Sequence, residues 1–369
     1  MAVPADAVSL GDYERHFARL CHPAVRAYVD GAAADGLSAR RNRAAFDALG
    51  LLPRVLVDMA GATAASTLFG QELAYPVVIA PTAYHRLLHP DGELATALAA
   101  RLTGTPMTVS TQASATLEAV AAVGGPVWFQ LYAQPRWADT LALVRRAEAA
   151  GYGAILLTVD APVSGVRNME QRAGFGLPEG VGAVNLAGFA PVAAPPLRPG
   201  SPVFQSLRAG GAGTATWDTL ADLCRATALP VLAKGILSPD DADLAVAAGC
   251  AGMVVSNHGG RVLDTVPAGI EMLPAVAARV AGRVPLLVDG GIRRGTDIVK
   301  AIASGASAVM IGRPVLHALA VGGVEGVAHM LTVLQSELEA AMALTGRPRL
   351  ADIDAGVLWR PGAQAPAPP

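Results

Sequence analysis

Two stretches of this chain carry the most chemistry: Ser-Asn-His-Gly-Gly-Arg, residues 256–261, and Val-Asp-Gly-Gly-Ile-Arg-Arg-Gly-Thr-Asp, residues 288–297. In the first, His258 and Arg261 flank two glycines just after the apolar run 251–255. Consecutive glycines let a backbone take positive φ or approach something closely, so an imidazole and a guanidinium beside them suggest a site. Taken alone, the stretch reads equally as a turn carrying a satisfied histidine. In the second, glycines and arginines follow a strand-like run, and Gly312-Arg313-Pro314 follows the next such run. Backbone N–H groups and a helix N-terminus in turns of this kind bind phosphate, which implies a phosphate-bearing cofactor or substrate.

Both stretches need a scaffold. Short β-branched runs bounded by Gly or Pro recur at 76–82, 107–111, 127–132, 154–160, 230–235, 252–257, 285–291 and 308–314. They do not alternate apolar with polar, so they read as parallel strands buried on both faces. Ala-rich helical patterns lie between them at 91–104, 137–153, 239–250 and 295–306. Eight βα units predict an α/β fold, a TIM (β/α)8 barrel. The runs end in polar residues throughout: Thr82, Ser110, Gln130 with Tyr132, Thr158 with Asp160, Lys234, Ser256 with His258, Asp289 and Arg313. In such a barrel these ends share the C-terminal rim, where active sites are built, and their joint placement favours a ligand site over a set of unrelated turns.

Two segments fall outside the repeat. Residues 1–75 contain a helical stretch at 14–32, and residues 161–229 form a connection after strand four of a length usually found in lids or mobile loops. The Pro- and Ala-rich part 190–202 is assigned no regular structure, and the tail 361–369 is expected to be disordered. The whole of 1–369 reads as one domain with its barrel core at about 76–346.

Charged residues make up 16% of the chain and the net charge is −2, which gives no electrostatic basis for binding nucleic acid or an anionic membrane. A small-molecule partner is the default. Cys21, Cys224 and Cys250 show no CxxC spacing, so neither a disulfide framework nor a metal site is indicated. The N-terminus lacks a basic region followed by an apolar core, and no eighteen-residue apolar run exists, so the expectation is a cytoplasmic protein without a spanning helix.

Taken in order, Ile-Ala-Pro-Thr-Ala (79–83), Phe-Gln-Leu-Tyr (129–132), Leu-Thr-Val-Asp-Ala-Pro (157–162), Lys234-Gly235 and the two opening stretches resemble the FMN-dependent 2-hydroxy acid oxidases and dehydrogenases. The resemblance runs from Tyr13 to Gly346. It implies oxidation of an (S)-2-hydroxy acid, of lactate or mandelate type, to the 2-oxo acid, with oxygen reduced to hydrogen peroxide. His258 would be the base and Asp160 its partner; Arg261 and Arg167 would hold the substrate carboxylate, with Tyr132 and Tyr28 on its oxygens. Lys234 would stand at the flavin edge that gains negative charge. Thr82, Ala83, Ser110, Gln130, Thr158 and Ser256 would line the ring and ribityl chain, and Asp289, Gly291, Arg293, Gly312 and Arg313 the ribityl and phosphate end. A homotetramer is implied as well.

The chain also departs from the family pattern. Several members carry Trp where Gln112 stands, Tyr84-His85-Arg86 is closer to the hydroxymandelate oxidase branch, and Ala83 replaces the Gly of some dehydrogenases. Other readings remain: a dehydrogenase or monooxygenase of the same family, or an FMN- or phosphate-binding barrel of another class. The latter would be an isomerase or a lyase using Lys234 as a Schiff base.

Overall fold

In the computed structural model, which describes residues 2–189, 200, 203 and 215–360, eight parallel strands close into a barrel. They are β1 (Val77–Ile79), β2 (Met107–Ser110), β3 (Val127–Leu131), β4 (Ile155–Thr158), β5 (Val231–Ile236), β6 (Gly252–Val255), β7 (Leu286–Asp289) and β8 (Ala308–Ile311). Each pairs with its sequence neighbour and β8 returns to β1. All eight expected strands are present. Most end before their last polar residues, which leave the ladder to form the rim.

Helices α1 (Leu10–Leu20), α2 (Pro23–Asp30) and α3 (Leu37–Asp47) precede the barrel. The single helical stretch expected at 14–32 is thus divided, because Pro23 has no N–H to continue α1 and instead opens the next helix. Within the barrel come α4 (Gly92–Leu102), α5 (Leu117–Ala121), α6 (Trp137–Ala149), α7 (Asn168–Arg172), α8 (Trp217–Ala226), α9 (Pro239–Ala247), α10 (Gly269–Val280), α11 (Gly295–Ala303) and α12 (Arg313–Thr345). Every strand is followed by a helix. Local chemistry starts them: the Thr216 hydroxyl caps α8, while the Ser238 hydroxyl caps α9, whose first turn holds Pro239 and two aspartates.

The connection 161–229 is therefore not a loop throughout, since it contains α7, a 3-10 turn at Val184–Leu186 and α8, the barrel's fourth outer helix. Most of 190–202 and all of 361–369 lie outside the described residues. Helix α12 is long and apolar enough, by length and composition, to cross a membrane, although 67% of its most apolar window is buried inside the structure. It bends at Gly323 and packs against α1, α4 and α11 as a core helix.

Strand alternation divides the core in two. Val77, Ile79, Phe129, Leu157, Val255 and their equivalents face the helices. Val78, Trp128, Leu156, Leu232, Val254, Leu287 and Met310 fill the interior. The short antiparallel ladder 66–68 with 71–73 packs against this inner layer at the N-terminal end of the barrel. Its Phe69 meets Trp128 edge-on at 5.7 Å, and Trp128 Nε1 donates to Gln71 Oε1 at 2.8 Å.

Candidate active site

The same alternation decides which residues reach the site. Two positions beyond the inner-core residues Ala80, Trp128, Leu156, Leu232, Val254 and Leu287 come Thr82, Gln130, Thr158, Lys234, Ser256 and Asp289, and Ser110 stands at the same level on β2. A period of two keeps both sets on the inward face, so the interior changes from apolar to polar at one level. Register places Ser110 opposite Gln130 and Thr158 opposite Lys234. Ser110 Oγ donates to Gln130 Oε1 at 3.1 Å, and Gln130 Nε2 donates to Thr158 Oγ1 at 3.0 Å. Lys234 Nζ donates to Ser256 Oγ and pairs with Asp289 Oδ2, both at 3.2 Å. Burial works against the Lys234 charge, but Asp289 and Asp160 outweigh it and hold the ammonium above its ordinary range.

The glycine pair of the opening stretch has a geometric reason. His258, Gly259 and Gly260 all take left-handed φ, at 57°, 65° and 73°, which folds the segment back over the barrel mouth. Only His258 bears the steric cost. A Cβ on Gly260 would lie 2.5 Å from the Ala39 backbone nitrogen, so the loop could not seat against α3 with a larger residue there.

His258 Nδ1 lies 2.9 Å from Asp160 Oδ1, and its backbone N–H donates to Ser256 Oγ at 3.0 Å. With Nδ1–H committed to the carboxylate, the basic lone pair is on Nε2. Burial works to raise the Asp160 carboxyl, but the charge and hydrogen bond of His258, together with the Lys234 charge, hold it below its ordinary range. Such a group adds stability that is complete above its unfolded pKa of ~3.9 and is lost as pH falls through the folded value. The urea midpoint is therefore expected to drop in acid below about pH 4, and Asp160→Asn to make that drop shallower, as equilibrium unfolding at a series of pH values will show.

Arg261 and Arg167 converge from different segments. Arg261 Nη1 donates to Gly31 O at 2.6 Å and Val29 O at 3.2 Å, at the end of α2. Its Nη2 and Arg167 Nη1 donate to one oxygen, Glu170 Oε1, at 3.3 and 3.2 Å. Burial and then the like charge of Arg167 depress the Arg261 guanidinium, so the pair favours a further anion. Arg261 also stands 5.5 Å from the centre of the Tyr28 ring, which stacks on Phe175 at 4.6 Å. Burial raises the Tyr28 and Tyr132 hydroxyls well above their ordinary range, leaving both as neutral hydrogen-bond donors.

At the other end, Arg313 Nη2 donates to Gly259 O at 2.8 Å. Burial, followed by the charges of Arg293 and Arg261, pushes Arg313 down to about 10, the mark of a cation cluster short of counter-charge. The N-terminus of α11 does not serve this cluster: Asp297 Oδ2 accepts from the Arg293 and Arg294 N–H groups, and Glu337 Oε2 from Gly295 N–H. Three of the N–H groups at the start of that helix are thus already engaged by carboxylates of this chain.

The family model for FMN-dependent dehydrogenase matches residues 18–360. The chain belongs to the FMN-dependent dehydrogenase family. It is 45% identical over 357 residues to an L-lactate oxidase from Alicycliphilus denitrificans, covering 95% of this chain and 97% of the relative. It is likewise 45% identical to a 4-hydroxymandelate oxidase from Amycolatopsis orientalis, covering 92% and 94%. A solved mandelate oxidase variant with (S)-mandelic acid superposes with a TM-score of 0.88 at 42% identity, covering 96% of this chain and 99% of that one.

The residues present fit FMN. The cavity holds about 1080 Å³ of empty space counted with its open mouth, and it joins the arginine cluster to the His258 loop. The depressed Arg313 calls for an anion, and Asp289 Oδ1 is buried with no hydrogen-bond partner among the described residues, as an acceptor awaiting a hydroxyl would be. Arg293, Arg313, Gly291 and Gly312 would hold the phosphate, Asp289 the ribityl chain, and Lys234, Gln130, Thr158 and Ser110 the polar edge of the ring. Thr82 and Ala83 line the same cavity.

All the residues expected from the sequence line this cavity except Asp160 and Ser256, which stand one step behind His258 and Lys234. The sequence reading missed Glu170, the shared carboxylate of the arginine pair. Its signal was present, three residues after Arg167 in the first turn of a short helix. Gln112, noted as a departure from the family pattern, lines the cavity as well.

Proposed function

We propose that the chain oxidises an (S)-2-hydroxy acid of lactate or mandelate type to the 2-oxo acid, with oxygen reduced to hydrogen peroxide. The observation that carries this reading is the His258–Asp160 pair, with no hydrogen bond to Nε2 among the described residues, beside two convergent guanidiniums. Arg167 and Arg261 bind the carboxylate and orient the acid, an arrangement suited to bidentate forks. Tyr28 and Tyr132 donate to its oxygens. His258 Nε2 takes a proton, and Asp160 stabilises the imidazolium that results. Bound FMN would supply the two-electron acceptor, and the Lys234 ammonium would stabilise negative charge at its polar edge. The names of the relatives support lactate and 4-hydroxymandelate as first candidates.

The Schiff-base reading is disfavoured. A nucleophilic lysine needs a depressed pKa, whereas Asp289 and Asp160 hold Lys234 protonated. The test is the visible spectrum of the purified protein before and after anaerobic addition of (S)-lactate, glycolate, (S)-mandelate and 4-hydroxymandelate. Flavin bands that bleach with one acid and return in air, with peroxide formed, are expected. Bands that bleach but do not return in air would replace oxygen with another acceptor, and bands that never bleach would overturn the hydroxy acid reading.

A further inference from the structure

A second cluster able to do chemistry lies away from the site. Cys224 is in the last turn of α8, and Cys250 is in the turn between α9 and β6. Barrel helices return the chain to the N-terminal ends of the strands, so both cysteines are on the face opposite His258. Helices α8 and α9 pack together, and Cys224 Cβ stands 3.5 Å from the Cβ position of Gly249, the residue before Cys250. Cys224 is half-buried and Cys250 buried.

We propose that Cys224 and Cys250 are a peroxide-reactive dithiol that closes to a disulfide, tying the end of α8 to the approach of β6. A thiolate is the nucleophile in such chemistry. The neighbouring Cys250 thiol and then the Arg225 charge lower the Cys224 thiol, whereas Cys224 and burial raise Cys250. Cys224, half-buried and so the more accessible to peroxide, is thus the attacking sulfur, and the buried Cys250 the resolving one. The Cys224 thiolate attacks one oxygen of hydrogen peroxide and the O–O bond breaks, leaving a sulfenic acid and a hydroxide that takes up a proton as water. The Cys250 sulfur then attacks the Cys224 sulfur. The S–O bond breaks, the hydroxyl leaves with the Cys250 proton as a second water, and the S–S bond forms. Two thiols are oxidised by two electrons and one peroxide is reduced to two waters. Cys21 is a built-in contrast, since burial and then the Asp30 charge push its thiol up to about 11.

The dithiol chemistry rests on this pair alone; only the idea that the enzyme supplies its own peroxide rests on the proposed function. The experiment therefore adds peroxide from outside. The flavoprotein is treated with a small molar excess of hydrogen peroxide without hydroxy acid, quenched and denatured, and its thiols are counted. The expected count falls from the three cysteines of the chain to one and recovers with dithiothreitol. A non-reducing peptide map is expected to show Cys224 joined to Cys250, and turnover to be unchanged. Cys21→Ser, which leaves the pair intact, is expected to fall from two thiols to none. Three thiols surviving peroxide, or a loss that maps to Cys21 or to cross-links between chains, would overturn the proposal.

Discussion

His258→Asn is expected to lower kcat/KM by at least ~10²–10⁴-fold, the contribution of one general acid–base group, while FMN stays bound. Asparagine is the informative replacement. His258 takes φ of 57°, a region that Asn enters far more readily than most residues, so the loop and its Gly260 contact with α3 are kept. Asparagine also offers its amide to Asp160 but has no basic atom for the substrate. A rapid-mixing measurement of flavin reduction by the hydroxy acid isolates the step that should slow. By the usual conversion of 1.36 kcal/mol per tenfold, the loss corresponds to ~3–5 kcal/mol of transition-state stabilisation. A variant that bleaches at the wild-type rate would move the base elsewhere on the rim, whereas one that loses FMN would show a strut and not a base.

The barrel was legible because each of its strands is a short, doubly buried run, and because at most strand ends a polar residue sits on the inward face two positions past a core residue. That pattern survives in a single sequence: Leu156 predicts Thr158, and Leu287 predicts Asp289. Less visible were elements whose burial comes from tertiary partners. Helix α5 is only five residues long, α10 carries Pro274 inside it, and α12 is apolar on most faces, so none shows a clean helical stripe.

The glycine-rich turns after β7 and β8 line the cavity, as their place at the strand ends implies, but the fate of the α11 donors was not legible. Asp297 Oδ2 accepts from two of the N–H groups there, and Glu337, 42 residues beyond Gly295, accepts from a third. No local rule pairs Gly295 with Glu337. Glu170 marks the intermediate case: its spacing from Arg167 is local, but its bond to Arg261 joins loops that only the closed barrel brings together.

Arg261→Leu is expected to cost ~2–5 kcal/mol in kcat/KM, the range for truncating one partner of a buried charge pair, or ~30- to 5000-fold. The loss should fall mainly on KM if the guanidinium holds the carboxylate equally in ground and transition states, and on kcat if it aligns the α-carbon for His258. Arg261→Lys should not restore activity fully. The present guanidinium spreads its donors over Gly31 O, Val29 O and Glu170 Oε1, and an ammonium point charge cannot hold that backbone anchor while also presenting a fork to a carboxylate. The same anchor makes Arg261 a link between α2 and the His258 loop, so thermal unfolding must be measured alongside steady-state kinetics. A variant with lowered Tm but unchanged KM and kcat would reduce Arg261 to that structural link. A raised KM with Tm little changed would assign the carboxylate to this arginine, and Glu170, left with Arg167 alone, would then be free to follow it.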